Sequence, residues 1–220
     1  NGAFLKDGTI ELDERGALSS FVNDYTGPDG ADRGNTKVAD LWGNEDVTIG
    51  RWNDGTTEGY LATSLSADIQ SYHYAVGTEA TNLPTYGVAY YTLAAATSPT
   101  FADGGGLPGT LTGRMSIGYG SGMPAVGLDL EIDMPDDHIY VVQTPGGLDT
   151  PHLSPFAVYT TGSLYPNNAI LKMGQGTFTI DSGGRACESN SSCFFSLYGF
   201  VSGEGGSSAA INYQIWQSAY

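Results

Sequence analysis

The stretch Val126-Gly127-Leu128-Asp129-Leu130-Glu131-Ile132-Asp133 alternates strictly, with apolar residues at even positions and acids or glycine at odd ones. A period of two puts Val126, Leu128, Leu130 and Ile132 on one face of a β-strand and Asp129, Glu131 and Asp133 on the other. The same rhythm runs through Leu111, Met115, Ile117 and Tyr119 on one side and through Ile211, Tyr213 and Ile215 on the other. Further strand signals cover 47–52, 69–76, 86–95, 138–144, 155–161, 168–173, 176–181 and 194–202.

Breakers separate these segments: Asp54-Gly55, Leu83-Pro84, Asp103-Gly-Gly-Gly106, Ser121-Gly-Met-Pro124, Pro145-Gly-Gly147, Ser182-Gly-Gly184 and Gly203-Glu-Gly-Gly206. Short strands so regularly spaced predict an all-β protein. They point to an antiparallel, roughly eight-stranded, Gly-rich β-barrel. Gly113, Gly118, Gly127 and Gly199 fall inside strand patterns, where bends and bulges are expected. Composition agrees: 32 Gly and 14 Tyr against 8 Lys+Arg in 220 residues are poor material for helices.

Residues 1–45 read differently. Asp24-Tyr-Thr-Gly-Pro-Asp-Gly-Ala-Asp-Arg-Gly34 is turn-rich, and the apolar groups beside it are short. The expectation is an extended N-terminal arm over 1–45, possibly strand-donating, followed by a barrel domain over 46–220. An arm of this kind stays ordered only when it lies along its own barrel or along a neighbour's.

The formal charge is −16, from 24 acids and 8 bases. A surface of that sign repels phosphate backbones and anionic lipids, so neither nucleic-acid binding nor attachment to anionic membrane surfaces is expected. No apolar run approaches the roughly 18 residues of a membrane helix, and membrane insertion is not expected. Cys187 and Cys193 enclose five residues, the wrong spacing for a C-x-x-C metal or redox motif, and a disulfide between them is expected. That pairing implies an oxidising compartment and contributes roughly 2 kcal/mol. The sequence opens at Asn1 without a leader, so a signal segment is expected to have been removed. The expected location is extracellular or the bacterial cell surface.

Gly50-Arg51-Trp52, Tyr72-His73-Tyr74 with Gly77-Thr78, and Leu83-Pro84-Thr85 with Gly87, Ala89 and Tyr91 resemble the barrel domain of the transferrin-binding-protein-B-like superfamily. That superfamily includes Slam-dependent surface lipoproteins and secreted haemophores. Gly109-x-Leu111 and Tyr198-Gly-Phe-Val-Ser-Gly-Glu-Gly205 are similar to its later strands, so the resemblance spans about residues 47–217. It implies an eight-stranded barrel, a surface location and work done by protein contact. The family's lipid-anchor cysteine and its final Gly-Gly-x-Phe have no counterpart here.

Catalytic signatures are absent. There is no G-x-S-x-G elbow, no H-E-x-x-H pair around His73, His138 or His152, no Walker loop and no dinucleotide fingerprint. A non-enzymatic role is expected, with no cofactor required. Two ligand readings remain beside plainer ones. His73 between two tyrosines is either an ordinary strand histidine or a ligand to haem iron. Asp129, Glu131, Asp133, Asp136 and Asp137 form either a solvated face or a calcium site, although alternate strand acids lie about 7 Å apart. Asp24, Asp29 and Asp32 are a weaker cation candidate.

The leading functional expectation is an extracellular protein that contacts other copies of itself through the arm, as a filament or surface-layer subunit. The rival is a secreted module that captures haem or an iron-carrier protein. A carbohydrate-binding or carbohydrate-hydrolysing domain stands third.

Overall fold

The computed structural model describes residues 8–22, 27, 30–66, 70–119, 125–135, 137–143, 148–149, 157–160, 168–174, 177–183 and 191–219. These residues contain strands and turns and no helix, hence none long and apolar enough to cross a membrane.

The first part of the sequence forms β1 (Thr9–Leu12), β2 (Leu18–Val22), β3 (Ala31–Asp32), β4 (Lys37–Gly43), β5 (Val47–Asn53), β6 (Gly55–Thr56), β7 (Glu58–Gly59), β8 (Ser64–Leu65) and β9 (Tyr72–Gly77). The second part forms β10 (Gly87–Thr92), β11 (Thr110–Tyr119), β12 (Ala125–Asp133), β13 (Ile139–Gln143), β14 (Ala157–Thr160), β15 (Asn168–Gly174), β16 (Thr177–Gly183), β17 (Ser191–Ser202) and β18 (Ser208–Ala219). Every ladder between them is antiparallel. The ladders build sheets in the orders β1-β2-β3-β7, β4-β5-β9, β6-β8, β10-β11-β12-β13-β14 and β15-β16-β17-β18. Among the described residues, no ladder closes a sheet on itself.

β12 behaves as its alternation requires. Val126, Leu128, Leu130 and Ile132 are all buried, while Glu131 and Asp133 are exposed. Its register with β11 is unbroken from Thr110 opposite Asp133 to Gly118 opposite Ala125. The strand glycines therefore make no bulges there, and Gly199 also sits in an unbroken ladder opposite Ile211. Gly113 and Gly127 instead permit close approach: a Cβ at 113 would lie 2.4 Å from the Asp129 carbonyl oxygen, and one at 127 would lie 2.4 Å from Ser116 Oγ. Register shifts occur elsewhere, at Glu11/Leu12 and Val38/Asp40.

One core draws on both large sheets, with Ile117, Leu128 and Val142 from the five-stranded sheet meeting Phe195, Leu197 and Val201 from β17. A second core gathers Leu18, Phe21 and Ala31 from the N-terminal residues around Trp52, Leu65, Tyr72, Tyr74 and Val76. Among the described residues, four strands precede Val47, where the sequence shows no strand periodicity. Leu18, Phe21 and Ala31 in that region are deeply buried against residues beyond position 45.

Polar contacts at the turn between β17 and β18 join the N-terminal sheets to it and, separately, fix β10 there. Asp46, in the turn before β5, accepts hydrogen bonds through its carboxylate from the hydroxyls of Ser207 (3.0 Å) and Ser208 (2.9 Å). Its carbonyl accepts from Thr78 N–H (3.0 Å) and from the buried Ser202 hydroxyl (2.8 Å). Tyr91 donates its hydroxyl to Gly206 O at 2.7 Å, fixing β10 to the turn between β17 and β18.

Candidate functional site

The β1–β2 hairpin is fixed from its turn outward. Gly16 takes φ +81, a conformation that favours glycine. Asp13 Oδ1 accepts from the N–H groups of Arg15 and Ala17, both at 3.0 Å. Asp13 Oδ2 accepts from Arg33 Nη1 at 2.9 Å, and that bond, with the two amides, holds the carboxyl far below the usual carboxylate range.

Beneath the hairpin lies a seat of aromatic rings. Trp52 is fully buried and stacks on Tyr72 with ring centres 5.3 Å apart, while Tyr74 leans on it at 5.4 Å. Gly50 makes this possible, because Tyr74 is its cross-strand partner and a Cβ there would meet the Tyr74 hydroxyl at 2.1 Å. Both aromatic polar groups point at one residue. Trp52 Nε1 donates to Leu18 O at 3.1 Å, and Leu18 N–H donates to the Tyr74 hydroxyl at 3.2 Å. Side chains of the seat thus hold the backbone of Leu18, while the Leu18 and Phe21 side chains are buried in the same cluster.

Among the described residues, the outer side of the hairpin is open. β1 is the terminal strand of its sheet, and among the described residues no strand pairs with its far edge. Ile10 and Leu12 are 39% and 45% exposed, although they stand opposite the buried Phe21 and Leu18. Val22, at the end of β2, is exposed as well.

His73 faces away from Tyr72 and Tyr74, as strand alternation demands. Its Nδ1 lies 2.8 Å from the Thr97 hydroxyl and its Nε2 2.9 Å from the Thr100 hydroxyl. Desolvation pushes its pKa down to about 3, so the ring is neutral at ordinary pH. Beside it, Arg51 Nε donates to Asp40 Oδ2 at 2.7 Å, and Ser98 N–H donates to the same oxygen at 2.9 Å. Asp40, Arg51 and His73 are cross-strand neighbours, so the segment 97–100 straps one polar row of the sheet β4-β5-β9. A haem iron would have to displace a threonine from His73.

The described acidic residues of and beyond β12 have separate neighbours. Asp129 accepts from Arg114 Nη2 at 2.7 Å, while Asp137 bonds His138 and the Tyr140 hydroxyl. Glu131 lies between Thr112 and Val141, and Asp133 between Thr110 and Ile139. Among the described residues, no three His, Cys, Asp or Glu side chains come together as a metal site. Asp136, Asp24 and Asp29 lie outside the described residues, and Asp32 Oδ1 accepts from Gly34 N–H. The expected Cys187–Cys193 pairing also lies outside them; the backbone of Cys193 sits on β17 opposite Gln217.

Sequence reasoning missed the hairpin seat. Gly50-Arg51-Trp52 and Tyr72-His73-Tyr74 were its signal, since a small residue beside aromatics on adjoining strands is what a ring lying across a glycine needs. No protein-family model, characterised protein or solved structure matches this sequence.

Proposed function

We propose that this is an extracellular, non-enzymatic β-protein that works by protein–protein contact and associates with further copies of itself through its N-terminal residues. The observation that carries the reading is the edge of β1, unpaired among the described residues, with Ile10 and Leu12 half exposed beside it. An unpaired edge offers a row of backbone donors and acceptors to another molecule, and apolar residues at alternate positions set the register. Repeated head to tail, such a contact makes a filament unless its rotation closes a ring. The resemblance over residues 47–217 to surface proteins that act by contact supports the same reading.

The five- and four-stranded sheets share a core and are tied by Tyr91 and Gly206, which supports one rolled barrel presenting the N-terminal sheet beside it.

Light scattering and electron microscopy of the purified protein test the function. The parent protein is expected to form assemblies, and a variant with both Ile10→Lys and Leu12→Lys is expected to remain a folded monomer. A monodisperse monomeric parent would reject the reading.

A further inference from the structure

Resting on the self-association just proposed, we infer that the β1–β2 hairpin is an exchanged element: in the assembly, the hairpin of one copy fills the Trp52–Tyr74 seat of another. The seat is built from residues that follow the hairpin in the sequence. Trp52 Nε1 and the Tyr74 hydroxyl, both on buried side chains, hold the backbone carbonyl and amide of Leu18. The Arg33 guanidinium holds the Asp13 carboxylate, and Arg33 N–H donates to Ser19 O at 2.8 Å. Two ladder rungs, Ser20 opposite Asp32 and Phe21 opposite Ala31, complete the contact.

None of these interactions requires hairpin and seat to belong to the same molecule. Exchange therefore keeps every bond and converts each into a bond between copies, which is why swapping is a low-cost route to association. The tether is generous. Asn23-Asp-Tyr-Thr-Gly-Pro-Asp-Gly30 joins β2 to β3, where a tight antiparallel connection needs about two residues. Eight extended residues reach about 27 Å, close to the diameter of a small domain. The open edge of β1 travels with the hairpin, so exchange also brings Ile10 and Leu12 onto the neighbour.

Cross-strand cysteines distinguish the two arrangements. Ser20 and Asp32 are register partners away from the core, and such pairs lie about 4.5–5.5 Å apart at Cα, within disulfide reach. Assemblies of Ser20→Cys/Asp32→Cys, oxidised and run on a non-reducing denaturing gel, are expected to give covalent dimers and higher multimers. The parent protein, with its own Cys187 and Cys193, supplies the background. Thr9→Cys/Val22→Cys bridges within the hairpin and is expected to give single chains wherever the hairpin sits. Single chains from assembled Ser20→Cys/Asp32→Cys material would overturn the exchange and leave contact at β1 standing. Absence of any assembled fraction would remove both.

A second experiment needs no oxidation. Asp13→Arg and Arg33→Asp each place like charges at the hairpin contact. Mixing the two variants restores opposite charges only when hairpins seat in other copies. Assembly of the mixture, with neither variant assembling alone, is the expected result; a mixture that behaves as its components do would overturn the exchange.

Discussion

Single residues here are held by geometry that leaves them little chemical freedom. His73 is the clearest case, with both ring nitrogens on threonine hydroxyls and its pKa lowered from 6.5 to about 3 by burial. Between those values the unfolded protein binds a proton that the folded protein refuses, so this residue makes stability fall as pH drops from 6.5 towards 3. Above 6.5 it adds no slope. Denaturant titrations at a series of pH values should show His73→Gln flattening that window; parallel curves for the two proteins would assign the slope to other groups. Gly50 is constrained by space rather than charge. Gly50→Ala drives a methyl into Tyr74, whose ring is wedged against Trp52, and overpacking of this kind costs about 1–3 kcal/mol. At roughly 2–4 °C per kcal/mol for a protein of this size, a fall in Tm of several degrees is expected in a thermal melt.

Among the elements, the hairpin has two unequal sides. Phe21→Ala empties a fully buried site and should cost about 3–5 kcal/mol, read as a shift in the urea midpoint. Ile10→Ala, on a half-exposed edge, should stay within about 0.5 kcal/mol. Comparable losses at both positions would mean that the edge is covered. β9, β12 and β13 were legible because one face of each is buried, which writes a period of two into the residues. β1 carried no such mark, since all four of its residues are exposed. β3 is two residues long, and a bulge between Val38 and Asp40 breaks the alternation of β4. Glycines inside strands looked like bulges because space and curvature demand the same residue; at Gly113 and Gly127 the demand was space. The hairpin seat was illegible as a site. It depends on which backbone atoms of Leu18 meet an indole and a phenol from strands more than thirty positions away.

At the scale of the whole molecule, Asp46 is the joint between the N-terminal sheets and the turn joining β17 to β18. Its carboxylate takes two serine hydroxyls, and hydrogen bonds to a charged group contribute about 1.5–3 kcal/mol. Asp46→Ala should lower Tm by several degrees without loss of β-sheet circular dichroism, because both cores keep their own packing. An unchanged melt would place the joint elsewhere, at Ser202 or at Asn212, whose amide donates to His73 O. The indole that clasps the hairpin also makes the molecule report on itself. Trp52 is wholly dry, whereas Trp42 and Trp216 are partly wet. When Leu18 lifts off, water reaches that one ring, its emission moves to longer wavelength, and the opening becomes visible in a fluorimeter without any label.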